Sequence, residues 1–162
     1  MDLYSEIILD HYKNPHNYGS LKNPTLSAED VNPLCGDKIR IDLKLDSKNK
    51  VENVGFSGEG CAISQASTSM LTDELLGKSL KEINKLTNED IYKMIHVPLT
   101  PARIKCAILS LVVVKKAILM HNLTHQQKSW KSKSPEKNPP QISQPQNLLR
   151  KISTKIIHII TS

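Results

Sequence analysis

Residues 38–57 read KIRIDLKLDSKNKVENVGFS. Ile39, Ile41, Leu43 and Leu45 alternate with Lys38, Arg40, Asp42, Lys44 and Asp46. A period of two sends one set to an apolar face and the other to water, the pattern of a half-buried strand. Ser47-Lys48-Asn49 is a polar turn, and Val51 to Ser57 returns with Val54 and Phe56 on one face. The stretch therefore predicts an antiparallel hairpin. A third, weaker strand is expected around Leu26 to Val31.

Helical signals flank the hairpin. Leu3, Ile7, Ile8 and Tyr12 have helical spacing within Asp2 to Lys13, and Asn14-Pro15 stops that segment because the residue before proline disfavours helix. Ala62 to Leu76 is rich in small residues with Leu and Met, and Gly77 is a natural stop. Ser79 can cap Leu80 to Leu86. Thr87, with Asp90 three residues on, can cap the segment to Ile95. Thr100-Pro101 opens a last long helix to about His121, with Ile104, Ile108, Leu111 and Ile118 as its core stripe and Lys115 and Lys116 turned outward. The expected fold class is α+β, a small three-stranded antiparallel sheet packed against about five helices.

The chain has 162 residues and a net charge of +6, unevenly placed. Residues 1–126 carry 15 basic and 15 acidic side chains, whereas residues 127–162 carry seven basic and one acidic. The basicity belongs to the tail, so the body gives no reason to expect nucleic-acid binding. From Gln126 to Gln146 the sequence is Lys, Ser, Pro, Gln and Asn with almost no apolar content. We read this as a disordered linker. Leu148 to Ile160 is apolar again, with Arg150, Lys151 and Lys155 interleaved. The expected division is a domain over 1–125 and a basic tail over 126–162, ending in a short amphipathic segment. The N-terminus is acidic and polar rather than signal-like, and the longest apolar run of the body, Ala107 to Val114, is too short to span a membrane. The expected location is cytoplasmic, with no membrane span.

Three cysteines stand in special local contexts. Cys35 lies in Asn32-Pro33-Leu34-Cys35-Gly36-Asp37, where Gly36 lets a thiolate and a carboxylate face one point. Cys61 follows Gly58-Glu59-Gly60 at a strand-to-helix junction, where the helix dipole favours a thiolate. Cys106 lies in Arg103-Ile104-Lys105-Cys106-Ala107, in the second turn of the last helix, near two basic residues. Singly, each also reads as a small buried side chain or a turn residue. As a set, three thiolates with Asp37 complete a tetrahedral shell for zinc or an iron–sulfur cluster. An odd number of cysteines argues against a disulfide framework. The six histidines, His11, His16, His96, His121, His125 and His158, are expected to be solvated or locally bonded, with His11 and His16 supporting the N-terminal segment.

Four pieces in order carry a family resemblance. They are Ile8-Leu9-Asp10-His11-Tyr12-Lys13-Asn14-Pro15-His16-Asn17-Tyr18-Gly19, Asn32 to Asp37, Phe56 to Ser67, and Arg103 to Ala107. Over about residues 3–121 the chain resembles the U-type iron–sulfur assembly scaffolds, the IscU, SufU and NifU N-terminal group. The resemblance implies a SufE/NifU-like fold. It implies that Cys35, Cys61 and Cys106 hold a nascent [2Fe–2S] cluster built from iron, or a zinc ion instead, and that Asp37 keeps the occupant exchangeable. Cys106 and Cys61 become the candidate sulfur acceptors. The implied partners are a PLP-dependent cysteine desulfurase, an iron donor and cluster-accepting apoproteins. Lys105 stands where IscU has histidine, as in SufU, whereas the 45-residue interval from Cys61 to Cys106 has the IscU length. Two further readings accompany the scaffold. One is a zinc-dependent sulfur acceptor for the desulfurase. The other is a structural zinc domain whose tail binds nucleic acid or membrane.

Overall fold

The computed structural model describes residues 3–133, and the side chains of residues 6–126. The elements run α1 (Leu3–Lys13), β1 (Leu26–Val31), β2 (Lys38–Leu45), β3 (Val51–Glu59), α2 (Ala62–Leu75), α3 (Leu80–Lys85), α4 (Asn88–Ile95) and α5 (Pro101–Lys133). The sheet order is β1-β2-β3, antiparallel throughout. Among the described residues, three strands and five helices bear out the expected α+β class.

The hairpin forms because its alternation matches the sheet. Ile39, Ile41 and Leu43 are fully buried, and Phe56 pairs across from Ile41. The other face is less polar than its alternation suggests. Asp42, expected toward water, is 1% exposed. It accepts from Ser27 Oγ at 2.5 Å, Arg40 Nε at 3.0 Å and the Leu21 N–H at 3.1 Å. The loop after α1 covers this face. Gly19 N–H donates to the Phe56 carbonyl at 2.7 Å and Phe56 N–H to the Asn17 carbonyl at 3.0 Å. The Tyr18 ring meets Phe56 edge-on at 5.3 Å. A side chain at Gly55 would strike the Gly19 carbonyl at 2.5 Å, so glycine is what lets the loop lie this close.

The caps follow their chemistry. Ser79 and Glu82 form a reciprocal capping box on α3. The Thr87 N–H donates to Asp90 Oδ2 at 2.8 Å at the start of α4. Gly77, after α2, has φ +75°, a conformation open to glycine.

Helix α5 departs from expectation twice. It is buried on all sides from Cys106 to Val114, Ser110 included, rather than along one stripe. A central helix needs no polar face over that stretch. It also continues past His121 to Lys133, so the segment read as linker begins as helix. Gln, Lys and Ser propagate an existing helix at modest cost, and no proline intervenes before Pro135. Lys116 is half-buried and ties α5 to β1, its Nζ 2.8 Å from the Glu29 carbonyl and 3.2 Å from Asp30 Oδ2. The chain divides into two units, residues 1–118 and residues from 119 on. Within the second, Thr124 Oγ1 donates to the Met120 carbonyl at 3.0 Å. The remaining linker and the apolar segment from Leu148 to Ile160 lie outside the described residues.

Candidate metal centre

The Asn32–Asp37 loop is shaped by its own hydrogen bonds. The Gly36 N–H donates to the Asn32 carbonyl at 2.8 Å, and the Asn32 N–H to the Asp37 carbonyl at 2.8 Å. Asn32 Oδ1 accepts from the Leu34 N–H at 3.1 Å. Gly36 takes φ +77°, the turn that lets residues 35 and 37 face one point. Cys35 is left exposed and Asp37 is 6% exposed.

Cys61 occupies the N-cap of α2, with extended backbone and no side-chain cap. Its N–H donates to Asp37 Oδ1 at 3.3 Å. Gly60 is required here, because a Cβ would collide with Ser64 Oγ and come within 3.0 Å of Asp37 Cγ. Cys106, one turn into α5, is 4% exposed. Its sulfur lies 3.5 Å from Cys35 Sγ and 3.7 Å from Asn32 Nδ2.

Cys35, Asp37 and Cys106 bring one donor atom each within 4.8 Å of one another. An ion at their centre is within reach of all three after small side-chain adjustments. Cys61 stands at the rim. It interacts with both Asp37 and Cys106, but its sulfur is outside that tightest group. Asp37 Oδ2 is buried without a hydrogen-bond partner. A buried carboxylate oxygen that no protein donor reaches is a ready ligand for a cation.

The electrostatics agree with a site that needs positive charge. Burial pushes the Cys106 thiol far above its ordinary range, and the Cys35 hydrogen bond and the Cys61 charge add to this. Burial also opposes the charge on Asp37. The neighbouring Ser64, Cys35 and Cys61 side chains and the Cys61 N–H outweigh it, and hold the carboxyl below its usual value. The pocket thus gathers a carboxylate and three thiols with no cation of its own at the centre. Arg103 and Lys105, read as possible thiolate partners, are both exposed. The donor set, soft sulfur with one oxygen, fits zinc or iron.

Two positioning residues escaped the sequence reading. Asn32 is 4% exposed and donates toward Cys106 Sγ. Ser64 is fully buried, and its Oγ donates to the Cys61 carbonyl at 3.0 Å while also acting on Asp37. Asn before Pro, three residues ahead of Cys35, was the available signal for the first. Nothing in spacing marks the second.

The histidines are less uniform than expected. His11, His16 and Asp73 also bring donor atoms within 4.8 Å of one another, well along α2 from Cys61. His121 and His125 stack at 4.3 Å between ring centroids within α5.

Comparison with known proteins places the chain in a family. The family model described as the NifU-like N terminal domain matches residues 3–128. The zinc-dependent sulfurtransferase SufU of Bacillus subtilis is 40% identical over 133 residues, covering 72% of this chain and 89% of that protein. The iron–sulfur cluster assembly scaffold protein IscU of Escherichia coli is 36% identical over 121 residues, covering 71% and 91%. Among solved structures, a putative SUF-system scaffold from Fervidobacterium islandicum aligns with a TM-score of 0.63 at 30% identity, over 71% of this chain and 96% of that one. Sequence and fold agree: the chain belongs to the NifU-like N-terminal domain family.

Proposed function

We propose that this protein is an iron–sulfur cluster assembly scaffold, with Cys35, Asp37, Cys61 and Cys106 as the ligand set. The observation that carries the reading is the convergence of Cys35, Asp37 and Cys106 on one point, with Asp37 Oδ2 buried and unpaired. The similarity to IscU supports it. We assign the scaffold to residues 1–125 and regard 126–162 as an appended basic tail, in a cytoplasmic protein. Among the described residues no helix is long and apolar enough to cross a membrane.

The chain's own groups divide the work. Cys35 is exposed and Cys61 half-exposed, so incoming sulfur and iron reach them first. A thiolate of this chain attacks the outer sulfur of a persulfide on a PLP-dependent cysteine desulfurase. The persulfide S–S bond breaks, the outer sulfur moves to the scaffold, and the desulfurase keeps its thiolate. Cys61 and Cys106 are the acceptors we favour, and Cys61 has the advantage of exposure and of the α2 dipole. Iron comes from a donor. Turning two persulfide sulfurs into bridging sulfide takes four electrons: two come from ferrous iron going to ferric and two from an external reductant, and the finished [2Fe–2S] cluster is cargo for apoproteins. Asp37 offers an oxygen, harder and more exchangeable than a fourth thiolate. Asn32 and Ser64 hold Cys106 and Asp37 in place.

Anaerobic reconstitution with desulfurase, cysteine, ferrous iron and a thiol reductant as electron donor tests this. The wild-type chain should acquire visible cluster absorption and pass the cluster to an apo-ferredoxin. Asp37→Ala should hold its cluster longer and transfer it more slowly. Equal or faster cluster loss from Asp37→Ala overturns the role given to Asp37.

A second reading has its own support in the likeness to a zinc-dependent sulfurtransferase and in Lys105 before Cys106. There the same residues hold zinc, and the protein accepts sulfur as a co-substrate of the desulfurase. Turnover of the desulfurase with zinc-loaded protein separates the two. Strong stimulation without cluster formation favours the acceptor, whereas no stimulation with stable reconstitution favours the scaffold.

A further inference from the structure

His11 lies in the last turn of α1, His16 sits in the loop after it, and Asp73 lies on α2. Ser69 and Asp73 are four residues apart on α2 and therefore share a face. That face is covered by the segment from His11 to Asn17. Ser69 Oγ lies 2.8 Å from His11 Nδ1 and accepts the His16 N–H at 2.8 Å. Asn17 Nδ2 donates to Asp73 Oδ1 at 2.8 Å and to Thr72 Oγ1 at 3.1 Å. Asp73 Oδ2 meets His16 Nδ1 at 2.7 Å. The two imidazoles lie 4.6 Å apart between centroids, tilted at 55°.

We propose that His11, His16 and Asp73 form a second metal site, for a first-row divalent ion of the ferrous iron or zinc class, separate from the cysteine pocket. One donor atom from each lies within 4.8 Å of the others, so a single ion can touch all three. Two imidazoles with one carboxylate suit ferrous iron and zinc, and carry one negative charge toward a dication. Neighbours orient the ligands: Ser69 fixes the His11 ring and Asn17 fixes the carboxylate, as outer partners do at metal sites. His16 and Asp73 are exposed, so the remaining coordination positions open to water and exchange is easy. Twelve residues of α2 separate Cys61 from Asp73, about 18 Å along the axis, too far for one ion to serve both sites.

Cobalt(II) titration of the reduced full chain under anaerobic conditions tests this. The first equivalent should show intense sulfur-to-cobalt charge transfer. A second should add only weak visible bands of nitrogen and oxygen ligation, and ferrous iron and zinc should displace it. Asp73→Asn and His16→Gln should leave the sulfur bands unchanged and weaken the second equivalent at least ~10-fold, since even loss of an outer partner costs that much. On the unmodified chain, paramagnetic broadening from the second equivalent should centre on residues 11–17 and 69–73. Saturation at one equivalent, an unchanged second equivalent in both variants, or broadening centred on residues 35–37 overturns the proposal.

Discussion

Helix α2 borders two clusters of ligand-type side chains, and they are built on opposite plans. At its N-terminus the donors are mostly soft, partly buried and held by glycine-shaped loops: the thiols of Cys35 and Cys61 and the harder carboxylate of Asp37, with the Cys106 thiol arriving from α5. Three turns further on the donors are imidazoles and an exposed carboxylate on a solvated seam. The first must lose protons to bind a cation, because burial holds the Cys106 thiol protonated. The second offers imidazoles, which ligate a cation as neutral rings. Burial and donor softness together make the first a place where thiolates are stabilised by what they hold. Exposure makes the second a place where water competes at every position.

Removing one sulfur breaks the comparison most completely. Cys106→Ala should abolish cluster and metal retention in the pocket while leaving the histidine cluster's cobalt bands intact, as checked by iron, sulfide and cobalt analysis. Loss of both together would mean that the two regions are one site.

Crowding is the next contrast. Gly60→Val places a side chain against Ser64 and Asp37, and overpacking of this kind costs about 1–3 kcal/mol. It should lower the thermal midpoint and impair metal uptake by the pocket, with the histidine cluster unaffected. An unchanged midpoint with full uptake would show that the pocket yields easily.

The smallest effect is on pH dependence. The Cys106 thiol is raised in the folded chain, so the folded state keeps a proton that the unfolded state gives up above about pH 8.5. Metal-free protein should therefore lose stability as pH rises from there, and Cys106→Ala should flatten that slope. Denaturant unfolding at several pH values checks it. His11, lowered rather than raised, contributes in the opposite direction: its stability cost appears as pH falls below about 6.5, where the unfolded ring takes up a proton that the folded ring resists.

Much of this was legible in the chain. The alternation over residues 38–45 determined the strand and its buried face, because a period of two has one solution when one side must leave water. Ser79-x-x-Glu82 and Gly77 determined where helices start and stop, through local hydrogen bonds and backbone freedom alone. Cys35-Gly36-Asp37 announced a turn with two donors. Asp42 read as a solvent-facing residue because alternation cannot report that a distant loop, residues 17–21, folds over that face. The all-round burial of α5 from Cys106 to Val114 was hidden for the same reason: Ser110 gave that stretch a polar residue in sequence that packing buries.

What the sequence determined by itself was therefore everything governed by neighbours along the chain: the hairpin, the caps, the glycine turns and the chemical type of each candidate ligand. What only the tertiary structure decided was which of those ligands meet. Cys35 and Cys106 are 71 residues apart in the chain and 3.5 Å apart at sulfur. His16 and Asp73 are 57 apart and in contact at 2.7 Å. Distances of that kind are set by how α2 and α5 bury their faces against the sheet and α1, and no local spacing encodes them.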